Sequence, residues 1–221
     1  MYVHPAFQTD RASSLAFAAE RGFGLVVACD AGRPLASPLP FHLDYANDGG
    51  ARVAFHVARA NPLAELAARG GAWLLSVLGD DAYVSPDWYA SPDQVPTWLY
   101  QSVQLSGPVR AMSSDELVFH LDDLAETFEG WLAPKPHWTA GSITPGRRKQ
   151  LMKAIVGIAM NVETVEGSFK LNQHKSDADH LSVARALAAR DDVESRRLAA
   201  RMVAMRPQLE YDNACTLVAS K

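Results

Sequence analysis

The sequence has few cysteines, little net charge and no long apolar run. Only Cys29 and Cys215 occur among its 221 residues, and they form no CxxC motif, which excludes a disulfide framework and a cysteine-based zinc cluster. We expect both to be buried free thiols in a reducing cytoplasm. A net charge of −4 and an isoelectric point near 6.0 give no overall attraction to nucleic acid or to anionic lipid.

Signals for membrane insertion and secretion are missing as well. The longest apolar runs, GLVVACDAG and AWLLSVLG, are too short to cross a bilayer. The opening residues MYVHPAFQTD lack the basic flank and apolar core of a signal peptide. We therefore expect a cytoplasmic protein without membrane contact, and 48% hydrophobic residues are enough for a proper core.

Common catalytic and nucleotide-binding motifs are also absent from the sequence. It contains no GxGxxG or Walker loop, no GxSxG serine motif and no HExxH zinc motif. The spacing of most histidines does not suit metal ligands either: His4, His42, His120, His137, His174 and His180. We therefore predict no metal site, and the sequence identifies no catalytic side chain.

Turn and capping signals divide much of the chain into short strands. Asp10 can cap a helix over residues 12–22, and turns are predicted at 31–34 and at 47–50. The other predicted elements are a helix at 62–70 and an ordered loop at 85–96. Strands are predicted at 51–58, at 72–79, which leads through Gly79-Asp80 to AYVS, and at 97–112, with a strand pair within 155–171. This spacing favours a mainly β protein with helices (α+β), built as an antiparallel barrel.

Three later segments are predicted to be helical. Ser113 and Glu116 form a capping box before the acidic helix ELVFHLDDLAETFEGWL, whose carboxylates we interpret as a solvated face. A second helix starts at RRKQLMKA, and the chain from Ser176 onward is helical and rich in alanine and arginine. The basic run RRLAARMVAMR places Arg197 and Arg201 on one helix face. No helix-turn-helix signature precedes it, so specific DNA binding by this chain alone is not expected.

The segment HVARANP, residues 56–62, combines an arginine with a helix start. Asn61 is a good N-cap and Pro62 suits the first helical position, so the following N–H groups would point outward with the positive end of the helix dipole behind them. Arg59 adds a planar set of donors that can bind an oxyanion in bidentate fashion. The pattern suits a phosphate or a carboxylate, although a capped helix beside a solvated arginine explains the same residues.

Several motifs resemble one family when they are taken in order. HVARANP, YVSPDWY (83–89), VPTWLY (95–100) and KLNQ (170–173) follow an N-terminal MYVHPAF. This order is similar to that of the PaiB-type family, the FMN-binding negative transcriptional regulators, over roughly residues 1–175. The resemblance implies an FMN-binding split β-barrel at 1–175. We expect the helical extension at 176–221 to pack on the barrel or on a dimer partner. It also implies a homodimer with FMN in the cleft between its subunits.

The resemblance also implies which residues bind the flavin. Arg59 and Asn61 would lie at the FMN phosphate, with His56 nearby on the same strand. Four further residues would lie on the ring side of the cleft: Thr97, Trp98, Lys170 and Gln173. Lys170 and Gln173 can come from the same subunit or from the other subunit of the dimer. A flavin pocket needs cations at the phosphate, apolar surface against the ring and a few amides at the polar edge of the ring.

The sequence departs from the family pattern at some of these motifs. VPTWNY followed by a histidine is the family form, and the corresponding residues here are Leu99 and Gln104. Ala64 replaces a common tryptophan after the NP pair, and the SPxWY turn carries Asp87. Leu99 cannot donate or accept a hydrogen bond, and Gln104 cannot titrate near neutral pH. The phosphate-side residues are intact, which favours flavin binding in an altered form.

Two functions remain open at the level of sequence. The family resemblance implies a flavin-binding regulator or sensor. The alternative is a flavin-dependent oxidoreductase that acts on a small molecule, since a bound flavin can supply the chemistry without an obvious catalytic side chain. A haem or another planar ligand in place of FMN is a further alternative.

Overall fold

The computed structural model describes residues 1–45 and 50–219. The turn predicted at 47–50 lies outside the described residues except for Gly50. The helices are α1 Arg11–Arg21, α2 Pro62–Arg69, α3 Ser114–Gly130, α4 Pro145–Lys153, α5 Asp177–Ala188, α6 Val193–Met205 and α7 Asn213–Ala219. The strands are β1 Gln8–Thr9, β2 Phe23–Asp30, β3 Arg33–Tyr45, β4 Ala51–Ala58, β5 Ala72–Val84, β6 Thr97–Ala111, β7 Ile155–Val162 and β8 Thr164–Lys170.

The eight strands form one antiparallel sheet that closes on itself. The strand order is β1-β8-β6-β5-β2-β3-β4-β7, and β6 also pairs with β7. That additional pairing closes the six strands from β6 to β7 into a ring, with Val109 opposite Met160 in the register. The predicted α+β fold with a β-barrel is therefore confirmed.

Close approach of two strands near the closure depends on one glycine. A Cβ atom built on Gly107 of β6 would lie 1.8 Å from the backbone carbonyl oxygen of Asn161. No side chain fits at that distance, so only glycine allows the two backbones to approach in this way. Beside it, the backbone N–H of Glu163 donates to the carbonyl of Ser106 at 2.9 Å.

The chain divides into two compact units, and neither is a continuous segment. The terminal unit consists of Met1–Ser14, Leu78–Val103 and Glu166–Lys221. The central unit consists of Leu15–Val77 and Gln104–Val165. The division predicted from the sequence, at residue 175, stays a prediction about domains.

The core of the central unit comes from alternate positions of its strands and from one face of α2. Fully buried side chains include Phe41, Phe55, Leu75, Ile158 and Met160. The Phe55 and Trp73 rings lie 6.3 Å apart, centre to centre. Burying large aliphatic and aromatic side chains supplies the main favourable term in folding, so these residues fix the barrel strands in register.

The terminal unit has its own core, which strands and helices share. Val84, Leu99 and Leu171 pack in one cluster with Leu187 of α5 and Leu198 of α6. Asp179 of α5 accepts hydrogen bonds from the backbone N–H and the hydroxyl of Ser91, both at 2.8 Å. Because these bonds tie the 85–96 segment to a helix, the predicted ordered loop is confirmed.

Local signals placed most element boundaries correctly. Asn61 caps α2 by accepting from the Leu63 N–H at 3.0 Å, with Pro62 at the first helical position. Ser113 and Glu116 form the predicted capping box of α3. The turn at Ala31 and Gly32, both with positive φ, joins β2 to β3 as a hairpin.

Some expectations were wrong. β5 is longer than the strand predicted at 72–79: it runs through Gly79-Asp80 to Val84, and its buried positions change from 73, 75 and 77 to 82 and 84. The two strands within 155–171 are not neighbours in the sheet, since β7 pairs with β4 and β6 while β8 pairs with β1. The helical segment predicted from Ser176 onward consists of three helices, and Cys29 is exposed rather than buried. Among the described residues, no helix is both long and apolar enough to span a membrane.

Candidate functional site

A large cavity in the central unit is bordered by cations. Its volume is about 740 Å³, within the range of small-molecule sites. Four basic side chains line it: Arg59, Arg148, Lys149 and Lys153. Much of the remaining wall is apolar and includes Leu117, Met152 and Val156. We call this site the basic cavity.

Arg59 lies where β4 ends and is fixed by the last turn of α4. Its backbone N–H donates to the carbonyl of Ala154 at 2.8 Å. Its side-chain Nε and one terminal nitrogen donate to the carbonyls of Lys153 at 2.7 Å and Ile155 at 3.0 Å. A guanidinium has five N–H donors, so these two bonds orient the group and use two of them. The interpretation of Arg59 as a merely solvated arginine is therefore incomplete.

Helix α4 supplies the other three cations of the basic cavity. Arg148 forms an ion pair with Asp122 of α3 at 2.7 Å, while Lys149 and Lys153 are exposed. The carbonyl end of a helix carries partial negative charge, which favours the cations Lys153 and Arg59 at this position. The RRKQLMKA segment was predicted to be helical, but nothing in its sequence spacing connected it to Arg59.

The chemistry of the basic cavity fits FMN. Several cations suit a phosphate dianion, because charge-assisted hydrogen bonds to phosphate are short and strong. The apolar wall suits a flavin ring, and the hydroxyls of Ser113 and Ser114 on the same cavity suit its polar groups. Of the residues predicted for the flavin site, Arg59 is the one that lines this cavity.

Asn61 and His56 make other contacts in the central unit. Asn61 accepts from Leu63 and donates to the Ser37 hydroxyl at 3.1 Å, so both ends of its amide are engaged. The Nδ1 of His56 lies 3.1 Å from the Nε2 of His120, and burial lowers the pKa of His56. Burial and the neighbouring His56 and His42 lower the pKa of His120 to about 4. One neutral ring therefore donates to the other.

The predicted ring-side residues lie in the terminal unit, where two of them are in contact. Lys170 donates to the hydroxyl of Thr97, and its ammonium also lies 5.6 Å from the centre of the Phe7 ring. Trp98 is half exposed, at 54%, and meets the Tyr83 ring edge-on with 6.1 Å between centres. An exposed tryptophan and a held lysine are available to a ligand.

The KLNQ segment has a structural role beyond Lys170. Leu171 is fully buried, and Asn172 adopts a left-handed conformation with φ of 58° that turns the chain. Gln173 closes the turn, since its amide donates to the carbonyl of Phe169 and accepts from the N–H of Leu171. Both ends of the Gln173 amide are thus engaged, as they are in Asn61, but here both partners are backbone groups.

Two residues that depart from the family pattern lie in well-defined places, one in a core and one in the wall of the basic cavity. Leu99 is fully buried in the core of the terminal unit. Its side chain replaces an amide with apolar packing among residues such as Val84, Leu171 and Leu187. Ala64 lines the basic cavity, where the family's tryptophan would occupy volume. The replacement therefore leaves more room in the cavity.

Comparison with known proteins decides the family. The family model described as "Putative FMN-binding domain" matches residues 1–164. This chain belongs to that family. The FMN expected from the resemblance is the cofactor that the family's description names. The protein "Protease synthase and sporulation protein PAI 2" of Bacillus subtilis (strain 168) is 29% identical over 200 residues, which are 90% of this chain and 95% of that protein.

Two solved structures share the fold at low identity. The FAD and heme binding protein from Mycobacterium smegmatis matches with a TM-score of 0.55 and 19% identity, over 74% of this chain and 73% of that chain. The flavocytochrome Anf3 from Azotobacter vinelandii matches with a TM-score of 0.50 and 15% identity, over 72% and 67%. The split-barrel fold and the PaiB-type family predicted from the sequence are thus confirmed.

Proposed function

We propose that the protein is an FMN-binding regulator or sensor whose basic cavity holds the phosphate end of the flavin. The observation that carries the proposal is the convergence of four cations on an apolar-walled cavity at Arg59, the residue that HVARANP singles out. Two hydrogen bonds hold the Arg59 guanidinium in place, so less side-chain entropy is lost when it binds an anion. Arg148, Lys149 and Lys153 add to the positive potential.

Each part of the cavity has a separate task in this proposal. Arg59 binds phosphate oxygens, and the α4 cations raise the local concentration of anionic ligand. Leu117, Met152 and Val156 exclude water from one side of the flavin. When bound, FMN supplies reversible acceptance of electrons or hydride, which serves a redox sensor and an oxidoreductase equally.

The test of the phosphate contact compares FMN with riboflavin, which lacks the phosphate. A charge-assisted hydrogen bond contributes about 1.5–3 kcal/mol, so Arg59→Ala is expected to weaken FMN binding roughly ten- to hundred-fold and riboflavin binding far less. Flavin fluorescence measures both affinities. Arg69→Ala is the matched control, because Arg69 belongs to the adjacent helix α2 and pairs with Asp30 instead. Equal losses for both flavins in Arg59→Ala would contradict the proposal.

Residues on the ring side are proposed to act in a homodimer. Thr97, Trp98, Lys170 and Gln173 would then serve the flavin ring at the subunit interface, as the resemblance implies. A symmetric dimer would also cover exposed apolar side chains such as Trp98. Sedimentation at micromolar concentration is expected to give about twice the 24.0 kDa chain mass. A monomer that still binds FMN tightly would overturn the interface site.

The proposed role in regulation rests on the relative from Bacillus subtilis. The name of PAI 2 associates that protein with protease synthesis and sporulation. We infer a comparable control of gene expression in the cytoplasm, exerted through partners rather than by DNA recognition. Mixing the FMN-loaded protein with NADH or NADPH without oxygen separates this role from the alternative. Rapid bleaching of the flavin would favour the oxidoreductase, and a flavin that stays oxidised would favour the regulator.

A further inference from the structure

A second cluster of polar side chains lies in the central unit, on another face of α3. His42 and Asp44 are two residues apart on β3 and therefore point to the same face of the sheet. Asp123 of α3 completes a group whose possible ligand atoms all lie within 4.8 Å of one another. These residues line a cavity of about 210 Å³ together with His120.

The spacing of His42 and Asp44 suits two ligands of one ion. Their Nε2 and Oδ1 atoms are 2.9 Å apart, which is also the distance of the hydrogen bond that they form in the absence of a metal. Two ligand atoms at about 2.1 Å from a metal and at right angles to each other lie about 3.0 Å apart. Asp123 is exposed, so its carboxylate can rotate to complete the set.

His120 gives an independent indication of a ligand in this cavity. The residue is 4% exposed, and its Nδ1 has no hydrogen-bond partner within the part of the chain that the structure describes. Leaving a buried polar atom unpaired is costly, so a partner for this nitrogen is strongly favoured.

Contacts around the cluster orient the candidate ligands. Nδ1 of His42 lies 3.4 Å from the hydroxyl of Thr127, and Arg52 donates to the second oxygen of Asp44 at 3.0 Å. His56 contacts Nε2 of His120, which leaves Nδ1 as the nitrogen without a partner among the described residues. Ligand side chains in metal sites are held by such outer contacts, which fix the ring orientation and the free lone pair.

We propose that the central unit binds one divalent first-row transition metal ion through His42, Asp44 and Asp123. His120 lies in the wall of the same cavity, where its unpaired Nδ1 can bond to a water molecule on the ion. One imidazole and two carboxylates form a nitrogen and oxygen ligand set, which suits zinc, iron, manganese or nickel better than magnesium or calcium. The exposed position of Asp123 leaves the ion open to solvent and to exchange. This site is separate from the proposed phosphate contact, because none of its three ligands lines the basic cavity.

The test uses untagged full-length protein from which metals have been removed with a chelator. Calorimetric titration with Zn²⁺ is expected to show one site per chain with a Kd in the micromolar range or below, and Co²⁺ is expected to give visible absorption bands. Asp123→Asn and Asp44→Asn should each weaken Zn²⁺ at least tenfold. Asp122→Asn is the matched control, since its carboxylate is next in sequence but pairs with Arg148. Circular dichroism verifies that each variant is folded.

The outcomes separate a metal site from a hydrated ion-pair cluster. If the cluster holds only water, the unmodified protein will bind Zn²⁺ no more tightly than the double variant Asp44→Asn/Asp123→Asn does. That result would show that the proposal is wrong. Zn²⁺ bound with unchanged affinity by both single variants would likewise overturn it. Nitrogen NMR of labelled histidines tests the imidazole ligand, because Zn²⁺ is expected to shift the ring signals of His42. Unmoved His42 signals in the presence of Zn²⁺ would contradict the proposal.

Discussion

Glu116 accepts hydrogen bonds from both terminal nitrogens of Arg110, at 2.8 and 2.5 Å, and from the backbone N–H of Ser113 at 2.8 Å. One carboxylate thus joins strand β6 to the first turn of helix α3. The Arg110 guanidinium, followed by the Ser113 N–H, lowers the pKa of Glu116 from 4.5 to about 2.

Replacing this carboxylate is expected to reduce stability in a pH-dependent way. Because the pKa of Glu116 is lower in the folded state, its contribution is complete above about pH 4.5 and disappears as the pH falls towards 2. Glu116→Gln should cost about 1 kcal/mol at pH 7, since the pair is partly exposed and screened. Urea unfolding at pH 7 and pH 3 measures the difference, which should shrink at pH 3. Glu126→Gln on the same helix serves as the control, and a cost that is independent of pH would contradict the assignment.

Restoring the family residue at position 99 is expected to damage the protein. Leu99→Asn would bury an amide in the apolar core of the terminal unit, where Leu99 is fully buried. The lost packing and the unpaired amide together should cost about 3–5 kcal/mol. Thermal unfolding measures this loss. The matched change Leu78→Asn, at a side chain that is 62% exposed, should cost less than about 1 kcal/mol, and similar effects at both positions would show that the core description is wrong.

The two cysteines are expected to differ in reactivity. Cys215 is buried, and burial followed by Asp212 raises the pKa of its thiol to about 12, so thiolate is scarce at neutral pH. Cys29 is exposed. An aromatic disulfide reagent at pH 8 should therefore titrate one thiol per native chain and two after denaturation. Rapid labelling should disappear in Cys29→Ser, and fast labelling of two native thiols would contradict the packing around Cys215.

The purified protein is expected not to bind promoter DNA specifically on its own. Its net charge is −4, and Arg197 in the basic helix α6 already pairs with Asp80 at 3.5 Å. A DNA-binding dimer normally makes several phosphate contacts, which give a steep loss of affinity with salt. Gel-shift titrations at physiological salt test this expectation. Nanomolar binding that Arg197→Glu with Arg201→Glu abolishes would overturn it.

Local signals predicted the element boundaries well, because caps and turns act over a few residues. The capping box at Ser113 and the Asn61-Pro62 helix start are examples. The local sequence did not show how far β5 extends, since the strand runs beyond the predicted 72–79 to Val84. Strand partners were equally hidden, since β7 and β8 are adjacent in sequence but pair elsewhere.

Site residues were predictable when they belong to one sequence motif. They were not predictable when folding brings them together from distant segments. Arg59 was found because its helix start lies beside it in sequence. The α4 cations were missed, since they come from a segment about ninety residues later that only the folded backbone brings to Arg59. The cluster of His42, Asp44 and Asp123 was missed for the same reason, because metal-ligand spacing is recognisable only when ligands share a segment.

Each of the two units is built from segments that are not contiguous in sequence, so the chain cannot be cut at a single point into two folded parts. The cluster around Leu99 draws on residues before position 175, such as Val84 and Leu171, and on residues after it, such as Leu187 and Met202. A fragment that stopped at residue 175 would expose an apolar surface that the missing helices normally cover. Such a truncation is expected to yield insoluble material rather than a smaller flavin-binding module, and recombination at that point in the gene would disrupt the fold in the same way.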